Sequence, residues 1–323
     1  MGPEFRSGGK TCKMGSMKPK EWGLLIILSL FWGGSFFFIE IALRDFQPFT
    51  LVFLRVSIAA LILVGVMYLR GQRLPASLKT WIAYIIMGLI NNALPFSLIV
   101  WGQTRIDSGV ASILNATTPI FTVLLAHFLT SDERLTIPKI LGVLVGFIGV
   151  YLMMMPELDN GFGWRGLGQV AVLGAAISYS FSGIFGKRFK HIPAVVNSAG
   201  MLLCSSIMML PPAIIIDAPW SIQPSFEAVS AVLGIAVIST VAAYLLYFHL
   251  LAAAGATNVL LVTFLIPVSA LMLGVGVLDE IIKRLEYAGM GCIFLGLIII
   301  DGRALKWLQR NKAPTGNEKQ AES

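Results

Sequence analysis

The residues of this chain that could do chemistry are polar groups set inside long apolar runs, and their types favour binding over bond-making. Ser108, Ser112, Asn115, Thr118 and Thr122 are spaced by 4, 3, 3 and 4 residues, which puts them on one helical face. Pro119 lies in that stripe. A proline has no N–H, so the Asn115 carbonyl loses its helical partner and, beside the Asn115 amide, offers a polar site to a cavity. Asn91, Asn92 and Pro95 form a second group, hard to place against lipid. Thr240, Tyr244 and Tyr247 follow i, i+4, i+7 on a third face, with Ser239 beside them. Trp32, followed by Gly33 and Gly34, and Tyr179 fall in mid-run, away from the depth of aromatic belts, and read as cavity walls or a gate. Helix packing is the competing reading for each group, since hydroxyls, amides and rings also join helices.

Other residues narrow the chemistry. There is no His-Glu-x-x-His and no pair of mid-run carboxylates, so neither an intramembrane enzyme nor a metal site is expected, and no cofactor. The Gly9-Lys10-Thr11 fragment is not a phosphate-binding loop, because the glycine that motif needs is Glu4. Glu40 is the acid set furthest inside a run, roughly 12 Å from its middle. Arg44, one turn on, is its expected partner; Arg55 either pairs with Glu40 or snorkels to the surface. Glu40 so placed is not expected to carry obligatory proton exchange. With no fixed charge among the candidate groups, the site suits a small polar or zwitterionic molecule with an apolar part, and a multivalent anion poorly.

These groups need elements to hold them, and the composition says which. Of 323 residues, 56% are hydrophobic and 13% charged, where soluble domains carry about 25% charged. Mean hydropathy is +0.81. That excludes an ordinary soluble enzyme, a disordered chain and a nucleic-acid binder. The net charge of +7 is scattered between apolar runs and reads as topology signal, not as a nucleic-acid footprint. Cys12, Cys204 and Cys292 make no disulfide framework. Runs long enough to span a bilayer fall at about 22–42, 49–69, 80–102, 109–129, 138–155, 164–187, 194–216, 226–249, 256–277 and 285–301. Lysines and arginines concentrate at the two ends and in the linkers around Arg70, Arg134 and Lys187, which predicts both termini in the cytoplasm. Residues 1–16 are polar, lack a signal-peptide core, and read as a disordered leader or cloning extension, with Met17 as the natural start.

The chain also matches itself. Asp132 and Glu133 pair with Asp279 and Glu280, Gly142 with Gly289, Gly149 with Gly296, and Phe147-Ile148-Gly149 with Phe294-Leu295-Gly296; Pro119 pairs with Pro267. Each unit holds five spans, an odd number, so the second enters the membrane from the opposite side. The fold class expected is an all-α integral membrane protein of ten transmembrane helices, two inverted five-helix repeats around a central cavity. Pro119 and Pro267 are expected to kink spans 4 and 9 toward it, and Pro95 to kink span 3.

Trp32-Gly33-Gly34, Arg55, Pro119, the run Asp132-Glu133-Arg134-Leu135-Thr136, Gly142 to Gly149, and the second-copy Pro267, Glu280, Gly289 and Gly296 carry a resemblance. The chain resembles the drug/metabolite transporter superfamily in its ten-helix EamA-type branch. The resemblance implies metabolite or drug transport, commonly export, without a cofactor. The organisation expected is a leader over 1–16, EamA-like units over 17–156 and 157–303, and a polar cytoplasmic tail over 304–323. The expected function is secondary transport of a small amphipathic or zwitterionic, amino-acid-like metabolite across the inner membrane by alternating access. The alternative is a lipid or polyprenyl flippase. The expected substrate-binding residues are Trp32, Asn91, Asn92, Ser112, Asn115, Thr118, Tyr179, Thr240, Tyr244 and Tyr247. The expected partners are a small-molecule substrate and the bilayer, with no nucleic acid, and the chain is expected to be a monomer.

Overall fold

The computed structural model describes residues 18–130, 135–159, 161 and 163–302. The leader 1–16, Met17, Asp132, Glu133, Arg134 and the tail 304–323 lie outside the described residues. The described residues are helical, with no strand among them. Helix α1 is Pro19–Ala42, α2 Pro48–Leu69, α3 Leu78–Gln103, α4 Ser108–Leu129 and α5 Ile137–Asp159. Helix α6 is Trp164–Phe189, α7 Ala194–Ile215, α8 Phe226–Ala254, α9 Val262–Val277 and α10 Arg284–Asp301. Eight of these, α1 to α8, are long and apolar enough to cross a membrane. Helix α9 has 16 residues, and α10 carries Arg284, Glu286 and Asp301 within its 18.

Local sequence explains the irregular places. Pro19 and Pro48 open α1 and α2, where a missing N–H costs nothing. Pro95 falls just after a π-helical segment, Leu89–Ala93, inside α3. The wider turn makes room where the ring would meet the carbonyl four residues back. Helix α8 has its own π-helical segment, Gly234–Ala242. Helix α4 is interrupted at 116–117 and resumes with Pro119 in its first turn. Pro267 lies within α9, and the chain turns at 260–261, after the short helix Ala256–Val259.

Packing joins the two halves of the chain along their whole length. Helix α5 packs on α10, α2 on α7, α1 on α9, α4 on α6, α3 on α6 and α7, and α8 on α1 and α2. Exchanging the halves maps this set onto itself. The α5–α10 contact shows it at atomic scale. A Cβ on Gly142 would stand 2.6 Å from the Gly296 carbonyl oxygen, and one on Gly149 would stand 2.5 Å from that of Gly289. Under the repeat, Gly142 corresponds to Gly289 and Gly149 to Gly296, so the two contacts are one contact seen twice, between antiparallel helices. Only glycine permits backbones this close.

The end of the bundle where α1 finishes and α2 begins is laced by polar contacts. Glu280 accepts hydrogen bonds from the Ser108 and Gly109 amides, both at 2.9 Å, and so holds the start of α4. Asp217 accepts from the Thr50 amide at 2.6 Å. Asp45 accepts from the Ser225 amide and hydroxyl at 2.8 and 2.5 Å. Arg165 reaches Asp107, Glu157 and the buried Glu286 at 3.2, 3.2 and 2.9 Å.

Candidate functional site

Between the halves lies a cavity of about 600 Å³. It runs from Ile39, Arg55 and Ile99 toward the end where α3 and α7 begin, lined there by Tyr84, Asn197 and Ser198, and where α8 finishes, lined by Leu251. Seven residues expected to bind substrate from the sequence line it: Trp32, Asn91, Asn115, Thr118, Tyr179, Tyr244 and Tyr247. Trp32 and Tyr247 meet with ring centroids 5.5 Å apart, so α1 and α8 form one aromatic wall. No described residue hydrogen-bonds the hydroxyls of Tyr179 or Tyr247.

A polar seam backs the opposite wall. Ser182 donates to Asn91 Oδ1 at 2.8 Å, and Asn91 Nδ2 reaches the Tyr244 hydroxyl at 3.3 Å and Asn92 Oδ1 at 3.2 Å. The Tyr244 hydroxyl donates to Asn92 Oδ1 at 3.0 Å, and Asn92 Nδ2 donates to the Ser205 hydroxyl at 3.2 Å. The seam ties α3, α6, α7 and α8 together. Both amides lie in the π-helical segment of α3, a distortion frequent at functional sites.

Three expected residues do not line the cavity. Asn92 is wholly buried in the seam behind the wall. Ser112 is wholly buried and donates to the Gly109 carbonyl of its own helix at 2.7 Å. Thr240 is wholly buried too, donating to the Ile235 carbonyl at 2.9 Å while accepting from Arg55 Nε at 3.1 Å. Of the prolines, none lines the cavity, although Asn115, Thr118 and Ile266 beside two of them do. The carbonyl that Pro119 frees is not left to the cavity: the Thr118 hydroxyl donates to it at 2.7 Å. The group left without a described partner is the Asn115 side-chain oxygen, and Ser239 Oγ is another.

Arg55 corrects the sequence reading most. It neither snorkels nor pairs with Glu40. It is 6% exposed, with its guanidinium stacked over the Phe96 ring at 3.7 Å. It is the one charged side chain among the described residues lining the cavity, so the expectation of a site without fixed charge does not hold. Glu40 instead accepts from Gln103 Nε2 at 3.4 Å, the same amide that donates to the Phe36 carbonyl at 3.0 Å. Among the described residues no ion pair joins Glu40 to Arg44. The signal for Arg55 was its place seven residues into an apolar run, too deep for an easy reach to water.

An all-helical bundle with two corresponding halves, membrane-length apolar helices and a cavity between the halves defines a class: the multi-pass membrane transporters built from repeats. The EamA-like transporter family model matches residues 21–155 and again 166–301, and the chain belongs to that family. An uncharacterized transporter of Bacillus subtilis, YoaV, is 27% identical over 77% of this chain and 86% of its own length. An uncharacterized transporter of Archaeoglobus fulgidus is 28% identical over 87% and 98%. The uncharacterized inner membrane transporter YedA of Escherichia coli is 22% identical over 86% and 90%. One solved crystal structure shares the fold with a TM-score of 0.64 at 19% identity, over 92% of this chain and all of that one.

Proposed function

We propose that this chain is a secondary transporter that exports a small amphipathic or zwitterionic, amino-acid-like metabolite by alternating access. The observation that carries the reading is the cavity between the halves, about 600 Å³ and walled by aromatic rings and amides. A cavity of that size suits a small metabolite. In this reading all ten helices span the bilayer, as units 17–156 and 157–303 of opposite orientation. Both termini and the tail 304–323 are cytoplasmic, following the basic residues. The cavity then faces the cytoplasm, and the laced end, where Glu280 holds α4, is the closed outer gate. The Escherichia coli relative is described as an inner membrane transporter, and the same membrane is proposed here. The chain acts as a monomer, since the cavity is completed within one copy.

The test is counterflow. Proteoliposomes loaded with a panel of amino acids and related metabolites should accumulate the labelled form of at least one, and liposomes without protein should not. Translocation of a fluorescent phospholipid in the same vesicles, with no metabolite moved, would replace this reading by the flippase one.

A further inference from the structure

We infer that Arg55 makes the cavity a carboxylate-recognition site, so that the cargo carries a carboxylate and its neutral and cationic analogues are rejected. The inference rests on the transport reading above and names the chemical class that site takes. Arg55 is buried in the membrane-spanning part, where an uncompensated charge is costly and is found pairing or facing a cavity. It spends Nε on Thr240 at 3.1 Å, and its face lies on Phe96 at 3.7 Å. Both contacts fix the plane of the guanidinium. Its two Nη groups make no hydrogen bond with any described residue, and no carboxylate is in the cavity lining. A planar fork held by its Nε with both outer nitrogens open matches the two oxygens of a carboxylate.

The surroundings choose among anions. A phosphate dianion wants several cationic donors, and among the described residues Arg55 is the one cation in the lining. Phe96 under its face, with Ile99 and Ile39 also in the lining, offers apolar surface for a hydrocarbon or aromatic portion. Ser239 is also in the lining, and its buried Oγ has no described partner. A primary amine without a carboxylate meets the Arg55 charge with no acid to offset it.

Thermal stabilisation of the purified full-length protein by matched probes reads this out. The probes are 3-phenylpropanoate, its isosteric amide 3-phenylpropanamide, 3-phenylpropylamine and inorganic phosphate, at constant ionic strength. The carboxylate should bind roughly 10- to 150-fold more tightly than the amide, the range for hydrogen bonds to a charged group. The amine and phosphate should be weaker still. Arg55→Gln should bring carboxylate and amide to parity, and Arg55→Lys should keep part of the preference. Equal binding of carboxylate and amide by the unaltered protein, binding of neither, or a preference that survives Arg55→Gln overturns the inference. Where Arg55→Gln fails to fold, the carboxylate-against-amide comparison on the unaltered protein decides alone. Binding of the carboxylate with no counterflow of any solute would sink the transport reading while leaving the Arg55 site. Counterflow of the amide as fast as the carboxylate would do the reverse.

Discussion

Asn92 and Asn115 carry the same side chain in different circumstances, and their variants should separate accordingly. Asn92 bonds Ser205 and Tyr244 behind the wall, so Asn92→Ala strands buried partners, costs about 1–3 kcal/mol, and should lower the amount of folded protein in the membrane. Asn115 lines the cavity at the α4 break and its buried side-chain oxygen has no described partner, so Asn115→Ala should keep normal abundance and lose transport. Quantifying membrane abundance and counterflow for both variants checks this; equal abundance for the two would count against the division. Asp45 gives a pH-dependent case. The Ser225 hydroxyl and amide hold its carboxyl below the usual value of 3.8. The contact therefore adds stability above that value and loses it as acid protonates the carboxylate. Unfolding of Asp45→Asn should differ from the unaltered protein near neutral pH and converge with it well below pH 3.8; a constant difference across that range would contradict the assignment. At this scale the sequence is readable where chemistry is conspicuous. An aromatic ring or amide in mid-membrane announces itself, as Trp32, Asn91 and Tyr179 do. Arg55 escapes a linear reading because its burial depends on Phe96 and Thr240, which come from two other helices.

Element periodicity carries the reading as far as regular helices allow. The stripe through Ser108, Ser112, Asn115 and Thr118 shares one face by spacing, but depth along α4 divides it: Ser112 is wholly buried in the packed start of the helix, while Asn115 and Thr118, on either side of the interruption at 116–117, line the cavity. Likewise, regular helical spacing sets Thr240 on one face with Tyr244 and Tyr247. Thr240 lies inside the π-helical segment Gly234–Ala242, and its wider turn rotates Thr240 relative to the α-helical tyrosines that follow. No 3.6-residue count anticipates that. The glycines are the more secure signal, because backbone contact needs them whatever the phase. Gly149→Ala sets a methyl 2.5 Å from the Gly289 carbonyl oxygen, so α5 and α10 must separate. The cost should be about 1–3 kcal/mol, seen as a lower melting temperature and less folded protein. Gly183→Ala, which meets nothing within 4 Å, should melt like the unaltered protein, and a similar drop in both would show that the α5–α10 contact is not special.

The whole molecule is two copies of one unit, and that is legible because Gly142, Gly149, Pro119 and Glu133 recur in order as Gly289, Gly296, Pro267 and Glu280. Linear sequence withholds which way the cavity opens, since that depends on which gate is made. In the transport reading proposed above, Glu280 on the Ser108 and Gly109 amides would be the closed gate at the laced end. Glu280→Gln removes the charge from both bonds and should shift the population toward opening there. The central claim is that one cavity is reached from each side of the membrane in turn. Thr118 lines it near the break in α4. A Thr118→Cys protein with Cys12, Cys204 and Cys292 replaced by alanine, in sealed vesicles of known orientation, can be exposed to a membrane-impermeant maleimide on either face. The account predicts labelling from both faces, faster from the cytoplasmic one and faster from the outer one once Glu280→Gln is added. Labelling from the cytoplasmic face alone, unchanged by Glu280→Gln, would make the cavity a closed-ended pocket and contradict it.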